Sequence, residues 1–302
     1  MWNVSCFRWS ERINCDRRVV RGDSWNVSAW ADELDDLVRA MAGAYIFGIP
    51  LLFTMEMWWI GEYLATTEVP TLVGVALAVN FGLTWVGGFK SKSTFRTSLD
   101  ETIDAVAIGL VAAVVMLVIL NQIRPGDSIA TSLGKVVIQA VPLSIGAAVT
   151  NQVFGIRTRD ARTSNPPVDE GLSPFQAVLS DIGATATGGL FLGVSIAPTD
   201  EVPMIAAALD YWHLLAIVLF SVLLSYGIVF ASGLNRQPSG GVFQRPFTET
   251  VLAYIVSLVV AFAALYLFDQ ISLDDPVRSI AEQVLVLGVP TSVGGAAGRL
   301  VI

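Results

Sequence analysis

The chain has 302 residues, of which 54% are hydrophobic and 15% are charged, and its mean hydropathy is +0.63. A soluble domain carries about 25% charged residues, so this composition excludes an ordinary soluble fold and favours lipid as the surrounding solvent. The net charge of −8 gives no reason to expect nucleic acid as a partner. The two cysteines, Cys6 and Cys15, indicate neither a disulfide framework nor a metal centre.

Part of the first half of the chain occurs again in the second half. Residues 95–151 align without a gap on residues 243–299, at an offset of 148, with 17 identities in 57 positions. Both copies contain the pattern Val-Pro-x-Ser-x-Gly. Upstream, Glu68-Val69-Pro70 matches Glu201-Val202-Pro203 at an offset of 133, which predicts a longer loop between the two alignments in the second copy. A repeat of this length indicates an internal duplication.

We predict an all-α membrane protein, because an open strand edge cannot be satisfied in lipid. The first 38 residues are polar and are expected to form a flexible tail. Eight predicted spans of about 20 residues follow, at 42–64, 70–89, 101–121, 130–154, 175–197, 203–232, 248–268 and 278–301. Four spans form a first membrane repeat (39–154), four form a second (175–302), and a polar linker (155–174) joins them.

The distribution of basic residues predicts the orientation of the chain. With the N-terminal tail in the cytoplasm, 15 of the 18 Lys and Arg residues lie on that side, as the positive-inside rule requires. We therefore expect both termini to be cytoplasmic and the protein to lie in the plasma membrane. Because four is an even number of spans, the two repeats should be parallel, related by a pseudo-twofold axis along the membrane normal.

Two prolines lie at equivalent positions near the middle of the fourth and eighth predicted spans. Pro142 and Pro290 each remove a backbone donor and clash with a carbonyl four residues back. Interrupted hydrophobic segments at corresponding positions of two halves point to a transport site. We therefore take the prolines, with Ser144 and Ser292 beside them, as candidate path residues. A kinked packing seam of small residues, without a ligand, explains the same pattern.

Glu56 lies near the middle of the first predicted span. An unpaired carboxylate there is costly or takes a proton, so an intramembrane acid is a candidate functional residue. At the offset of 133 its equivalent is Gly189, and a site at Glu56 would therefore be asymmetric. The alternative is a protonated side chain that hydrogen-bonds a neighbouring helix.

Asp210 and His213 lie one turn apart in the sixth predicted span and share a helix face. His213 is the only histidine, and at the offset of 133 its equivalent is the polar Asn80. A carboxylate beside an imidazole could relay protons or hold a cation. The structural alternative is a satisfied hydrogen bond within an aromatic belt at the membrane interface.

Other acids lie at the starts of predicted spans. Glu101 and Glu249 begin the third and seventh spans in matching Glu-Thr pairs, and we expect both to cap their helices. Asp104 lies one turn deeper and has the apolar Leu252 as its equivalent, so capping does not explain it. Asp181 lies early in the fifth span, among glycines that can line a cavity. Asp104 and Asp181 are therefore candidate path residues.

The sequence resembles a prokaryotic family of integral membrane proteins of unknown function. Two features carry the resemblance: the doubled Pro-x-Ser-x-Gly helices and the run Phe47-Gly48-Ile49-Pro50-Leu51-Leu52-Phe53-Thr54-Met55-Glu56-Met57-Trp58-Trp59. The similarity extends from about residue 35 to the end. It implies a membrane fold but neither an activity nor any site residues.

The sequence predicts a channel or transporter for a small cation or a proton-coupled solute, with its path near the pseudo-twofold axis. It contains no zinc, hydrolase, phosphate-loop or dinucleotide motif, so we expect no enzyme activity, cofactor or bound metal. The expected partners are the lipid bilayer and the transported cation or solute, and an oligomer is compatible with the sequence. The alternative is a non-transporting membrane sensor, scaffold or partner subunit.

Overall fold

The computed structural model describes residues 27–88, 95–163, 174–231 and 246–300, and these residues contain helices and no strand. The helices are α1 (Val27–Leu52), α2 (Met55–Tyr63), α3 (Val69–Gly88), α4 (Phe95–Ile119), α5 (Ile129–Thr163), α6 (Pro174–Ile196), α7 (Glu201–Ala207), α8 (Tyr211–Tyr226), α9 (Pro246–Leu267) and α10 (Val277–Arg299), and a π-helical turn (Gly227–Ala231) extends α8. The all-α prediction is confirmed for this part of the chain.

Six of these helices are long and apolar enough to cross a membrane. They are α4, α9, α10 and the segments Ile129–Thr150 of α5, Val178–Ile196 of α6 and Tyr211–Phe230 of α8 with its π-helical turn. α1 and α2 pass the same test only as a pair, and they meet at an angle of 87°. The apolar part of α3 is shorter, Val69–Trp85. The described chain therefore supports six spans, or seven with the bent pair, where the sequence predicts eight.

α5 and α10 are the centres of two helix bundles. α5 packs against α1, α2, α3 and α4, and α10 packs against α6, α7, α8 and α9. We call α1–α5 the first bundle and α6–α10 the second bundle. Glycines allow the close approach: a Cβ atom added at Gly146 would overlap the carbonyl oxygen of Gly43, and one at Gly294 would overlap that of Gly188.

Equivalent contacts in the two bundles correct the upstream alignment. The pairs are Gly43–Gly146, Gly48–Leu143 and Asn80–Ser144 in the first bundle, and Gly188–Gly294, Gly193–Thr291 and Ser225–Ser292 in the second. The partners in α5 and α10 differ by 148 residues, whereas the partners in the earlier helices differ by 145. The predicted offset of 133 is therefore wrong. It rests on a Glu-Val-Pro match, and acids and prolines recur at many helix starts because both suit the first turn.

The turn that follows α4 recurs after α9. Asn121 and Asp269, 148 residues apart, have φ angles of 55° and 61°, a conformation that Asn and Asp tolerate better than most residues. The next amide closes the helix end on a carbonyl five residues back, at 2.8 Å after α4 and 2.9 Å after α9. The side chain of Asn121 also reaches the second bundle, where Nδ2 donates to the carbonyl of Ala208 at 2.6 Å.

Two predicted boundaries overlap helices. α1 begins at Val27, inside the predicted tail (1–38), because its polar first half still forms a helix with the exposed acids Glu33, Asp35 and Asp36 on its surface. α5 continues to Thr163, inside the predicted linker (155–174). Residues 1–26 and 164–173 lie outside the described residues.

Candidate functional site

The helix breaks lie in the first hydrophobic helix of each bundle. α1 ends at Leu52 and the chain turns by 87° into α2, and α6 ends at Ile196, with four residues between it and the start of α7. At the offset of 145, Thr54 in the first break is equivalent to Thr199 in the second. Pro50 lies within the last turn of α1, where a missing N–H helps the helix to end. The two breaks are therefore equivalent positions of the duplicated fold.

The prediction of interruptions at Pro142 and Pro290 is wrong. α5 and α10 continue through both prolines. The hydroxyl of Ser144 donates to the carbonyl of Val141 at 2.8 Å, and Ser292 repeats this contact in α10 at 2.8 Å. These bonds add a side-chain donor to the carbonyl that precedes each proline, whereas the carbonyls that lose a backbone donor to Pro142 and Pro290 are those of Ile138 and Val286. Ser144 and Ser292 are buried, and each is bonded to a neighbouring helix of its own bundle.

The first break is stabilised by side chains. Each of the last three carbonyls of α1 accepts a side-chain hydrogen bond: Pro50 from Thr54 Oγ1 at 2.8 Å, Leu51 from Gln139 Nε2 at 3.2 Å, and Leu52 from Trp58 Nε1 at 2.9 Å. Gln139 of α5 is fully buried, and its Oε1 has no hydrogen-bond partner within the described chain. The break therefore places an unsatisfied acceptor inside the first bundle, a group that can bind a donor or a cation.

Glu201 joins the two breaks. It begins α7, is only 8% exposed, and accepts a hydrogen bond from the amide of Met55, the first residue of α2, at 3.4 Å. A carboxylate is favourable at a helix N-terminus. Among the described residues, however, Glu201 forms no ion pair with a basic side chain, and a buried charge without a partner is costly. Glu201 is therefore suited to bind a cation.

The sequence signal for Glu201 is present but short. At the offset of 145, Thr54-x-Glu56 matches Thr199-x-Glu201. Glu56 is therefore the equivalent of Glu201, and the predicted equivalence with Gly189 is wrong. Glu56 is exposed in the first turn of α2 rather than central in a span, because α1 begins at Val27 and bends before Glu56.

Three other predicted residues are not brought together. Asp104 lies on the exposed face of α4, and Asp210 is exposed at the N-cap of α8 without a capping side-chain hydrogen bond. The Nδ1 atom of His213 is buried without a partner among the described residues, so the imidazole is not bonded to the Asp210 side chain through this atom. The predicted equivalence with Asn80 also fails, since Asn80 donates to Ser144 at 2.9 Å and Ser225 occupies that place in the second bundle.

Asp181 belongs to a buried ionic cluster that links α6, α9 and α10. Its Oδ1 atom lies 3.8 Å from Nε of Arg299, and Arg299 forms an ion pair with Glu249. Arg299 is 3% exposed and Glu249 is 7% exposed, so Glu249 is a buried ionic partner and not only a helix cap. The guanidinium of Arg299 also lies 5.8 Å from the ring centre of Phe230 in the π-helical turn. The sequence analysis missed this cluster, because its three charged residues are far apart in the chain.

A second buried cation lies at the opposite end of the equivalent helix. Lys135, in the second turn of α5, is 8% exposed. Its Nζ atom donates to the carbonyl of Gln122 at 3.2 Å and lies 3.5 Å from the carboxylate of Glu62 in α2. The first bundle therefore buries a charge near its helix break, and the second bundle buries one at the far end.

The chain matches the family described as "Putative integral membrane protein (DUF2391)" over residues 36–302. It belongs to the DUF2391 family. The match includes all ten helices except the first turns of α1, and it confirms the resemblance noted in the sequence. No protein of curated function and no solved structure matches the chain. The DUF2391 description gives no activity, so the function has to be inferred from the geometry.

Proposed function

We propose that this member of the DUF2391 family is a channel or transporter for a small cation or a proton-coupled solute. The observation that supports this proposal is the junction of two equivalent helix breaks at Glu201. Broken helices at corresponding positions of two repeats commonly border the sites of transporters, where helix ends face the ion or solute. Here a buried carboxylate of one bundle meets the N-terminus of α2 in the other.

The proposed topology has eight spans, with the bent pair α1–α2 and the shorter α3 each crossing once. Contacts support repeats of equal orientation, because α1 runs antiparallel to α8. Val38 packs against Gly227, the ring of Tyr45 lies 5.2 Å from that of Phe220, and Met55 meets Glu201. Consecutive spans alternate in direction, so α6 runs parallel to α1. The basic residues then favour cytoplasmic termini in the plasma membrane.

The junction also suggests how occupancy and conformation would be linked. A cation or proton that binds the Glu201 carboxylate competes with the Met55 amide for the same oxygen. Binding would therefore weaken the contact between α7 and α2, and so between the two bundles. Only a ligand that binds one arrangement better than the other can shift the conformation, and this competition provides that difference.

Flux through reconstituted liposomes tests the proposal. Purified full-length protein is incorporated into vesicles, and movement of K⁺, Na⁺, Ca²⁺ and H⁺ is followed with ion-sensitive dyes. We expect flux of at least one of these ions above that of protein-free vesicles. Absence of flux for all four ions, from protein that gives a cooperative unfolding transition, would rule the proposal out.

A non-transporting membrane sensor, scaffold or partner subunit is the second candidate. It is favoured by the polar pairs inside the first bundle: Asn80 donates to Ser144 at 2.9 Å, and the hydroxyls of Thr84 and Thr102 lie 3.1 Å apart. Such pairs hold helices together in membranes without a ligand. Under this alternative, Glu201→Gln would change thermal stability only, and neither the wild type nor the variant would conduct an ion.

A further inference from the structure

The first bundle carries an open groove where the chain turns from α2 to α3. Two aromatic rings, two aliphatic side chains and one carboxylate line this groove: Trp59, Ile60, Tyr63, Leu64 and Glu68. Its volume is ≈ 620 Å³, within the range of about 300–1,000 Å³ that small-molecule sites occupy. The groove is separate from the helix breaks, because Tyr63 lies about 12 Å along α2 from Met55, the residue that contacts Glu201.

The two rings of the groove are not covered by the described chain. Trp59 and Tyr63 lie one turn apart on one face of α2, and they are 51% and 85% exposed. Neither ring packs against another aromatic ring of the described residues, whereas the ring centres of Phe81 and Trp85 in α3 lie 5.8 Å apart. The face of an aromatic ring carries partial negative charge. Two uncovered rings side by side therefore favour a positively charged ligand.

The groove also contains a carboxylate. Glu68 is exposed, and its Oε2 atom accepts a hydrogen bond from the amide of Ala65 at 3.1 Å, which fixes the side chain at the start of α3. No basic side chain of the described residues lines the groove. Lys135, which contacts α2, is bonded to the carbonyl of Gln122 and to Glu62 instead. The groove is therefore negative, and its aromatic and aliphatic lining favours a cation with an apolar surface over a hydrated metal ion.

The second bundle combines the same chemical groups with a cation of its own. The guanidinium of Arg278 lies 4.9 Å from the ring centre of Tyr211, and its Nε atom donates to Glu282 at 2.7 Å. A ring, a cation and a carboxylate are thus assembled at an exposed position, since Tyr211 is 70% exposed. The groove of the first bundle has the rings and the carboxylate, but its cation has to come from solution.

We propose that this groove binds a small quaternary ammonium ion from the aqueous phase. Trp59 and Tyr63 contact the methyl groups of the ion, and Glu68 neutralises its charge. A quaternary ammonium ion suits the groove because its charge is spread over an apolar surface and it needs no hydrogen-bond acceptor. The turn between α2 and α3 exposes the polar Thr66 and Thr67, which favours a soluble ion over a lipid headgroup. This inference does not require the proposed transport path at Glu201.

Calorimetric titration tests the groove. Full-length protein in a neutral maltoside detergent is titrated with tetramethylammonium chloride, and with NaCl at the same ionic strength. We expect saturable binding of tetramethylammonium and none of Na⁺. Tyr63→Leu and Glu68→Gln should each weaken binding by about threefold or more, because an exposed cation–π or charge contact contributes about that factor. Replacing both Trp59 and Tyr63 by Leu should abolish binding.

Three further variants are the controls. Tyr63→Phe keeps the ring and should bind like the wild type, so a loss only in Tyr63→Leu assigns the contact to the aromatic face. Trp212→Leu removes an exposed aromatic residue of α8 that does not line the groove, and it should keep binding. Glu201→Gln should also keep binding, so failure of the transport proposal and failure of this site are distinguishable.

Four results would overturn the ammonium site. Two are the absence of saturable tetramethylammonium binding and an unchanged affinity in the double variant with a wild-type Tm. The third is equal binding of neopentyl alcohol, a neutral molecule of similar shape, because the affinity would then come from apolar contact alone. The fourth is binding that is lost in phosphatidylcholine nanodiscs and kept in phosphatidylglycerol nanodiscs, because a lipid headgroup would then occupy the groove.

Discussion

The two bundles share a backbone plan and bury their basic residues at opposite ends. Lys135 lies near the start of α5 and Arg299 at the end of the equivalent α10. The position equivalent to Lys135 is Gln283, and the position equivalent to Arg299 is Asn151. The glycine contacts and the turns after α4 and α9 are formed in both copies. The two copies therefore share their packing and differ in the position of their buried basic residues.

The largest effect is expected at Arg299. Arg299→Ala would leave Glu249 buried and Asp181 partly buried without their cation, which costs about 3–5 kcal/mol of folding free energy. The measurement is the loss of Tm in detergent relative to the wild type. The matched control is Arg278→Ala, in the exposed pair with Glu282 of the same helix, which should lower the Tm much less, because an exposed ion pair adds little stability. Equal losses in the two variants would contradict the structural role of the buried cluster.

The next effect is expected at the helix breaks. Glu201→Gln should lower ion flux in liposomes by about tenfold or more, because the loss of one charged contact of about 1.4 kcal/mol changes binding by about a factor of ten. The equivalent substitution Glu56→Gln, at an exposed position, should change flux by less than about twofold. A larger loss in the Glu56 variant would place the path on the opposite side of the junction.

A smaller effect is expected at Lys135. Lys135→Met should lower the folding free energy by about 1–2 kcal/mol, because it removes a charged hydrogen bond to Gln122, while Glu62 is 47% exposed at its side chain and stays hydrated. The comparison variant is Gln283→Met, at the equivalent position of α10. If the two variants unfold at the same temperature, the divergence of charge between the bundles has no energetic consequence at this end.

Sequence patterns predicted the features that depend on local chemistry. The all-α membrane class follows from composition, and the offset of 148 from α4 onward follows from a repeat that includes the turn residues Asn121 and Asp269. The upstream offset was not predictable in the same way. The Glu-Val-Pro match at two helix starts consists of three consecutive identities and therefore gave the stronger alignment. The identities at the correct offset are scattered along the chain: Gly43/Gly188, Gly48/Gly193 and Thr54/Thr199.

The candidate site was harder to predict than the fold. The break near Pro50 is signalled in the sequence by that proline alone. The two prolines at equivalent positions in α5 and α10 form a stronger pattern, and for that reason the sequence analysis placed the helix breaks there. The pairing of Arg299 with Glu249 depends on how α9 and α10 pack, and no local spacing encodes it. The sequence analysis did not single out Glu201 as a candidate residue, because burial by a neighbouring bundle leaves no mark on the sequence around it.

Of the two copies of the turn, the one after α4 links the bundles through its side chain. Asn121 donates its side-chain amide to Ala208 across the junction, but Asp269 at the equivalent place is a carboxylate and has no N–H to give to Tyr63 on the other side. A change in the relative position of the two bundles would therefore have to break the hydrogen bond of Asn121, and the turn after α9 adds no side-chain amide that would resist the change.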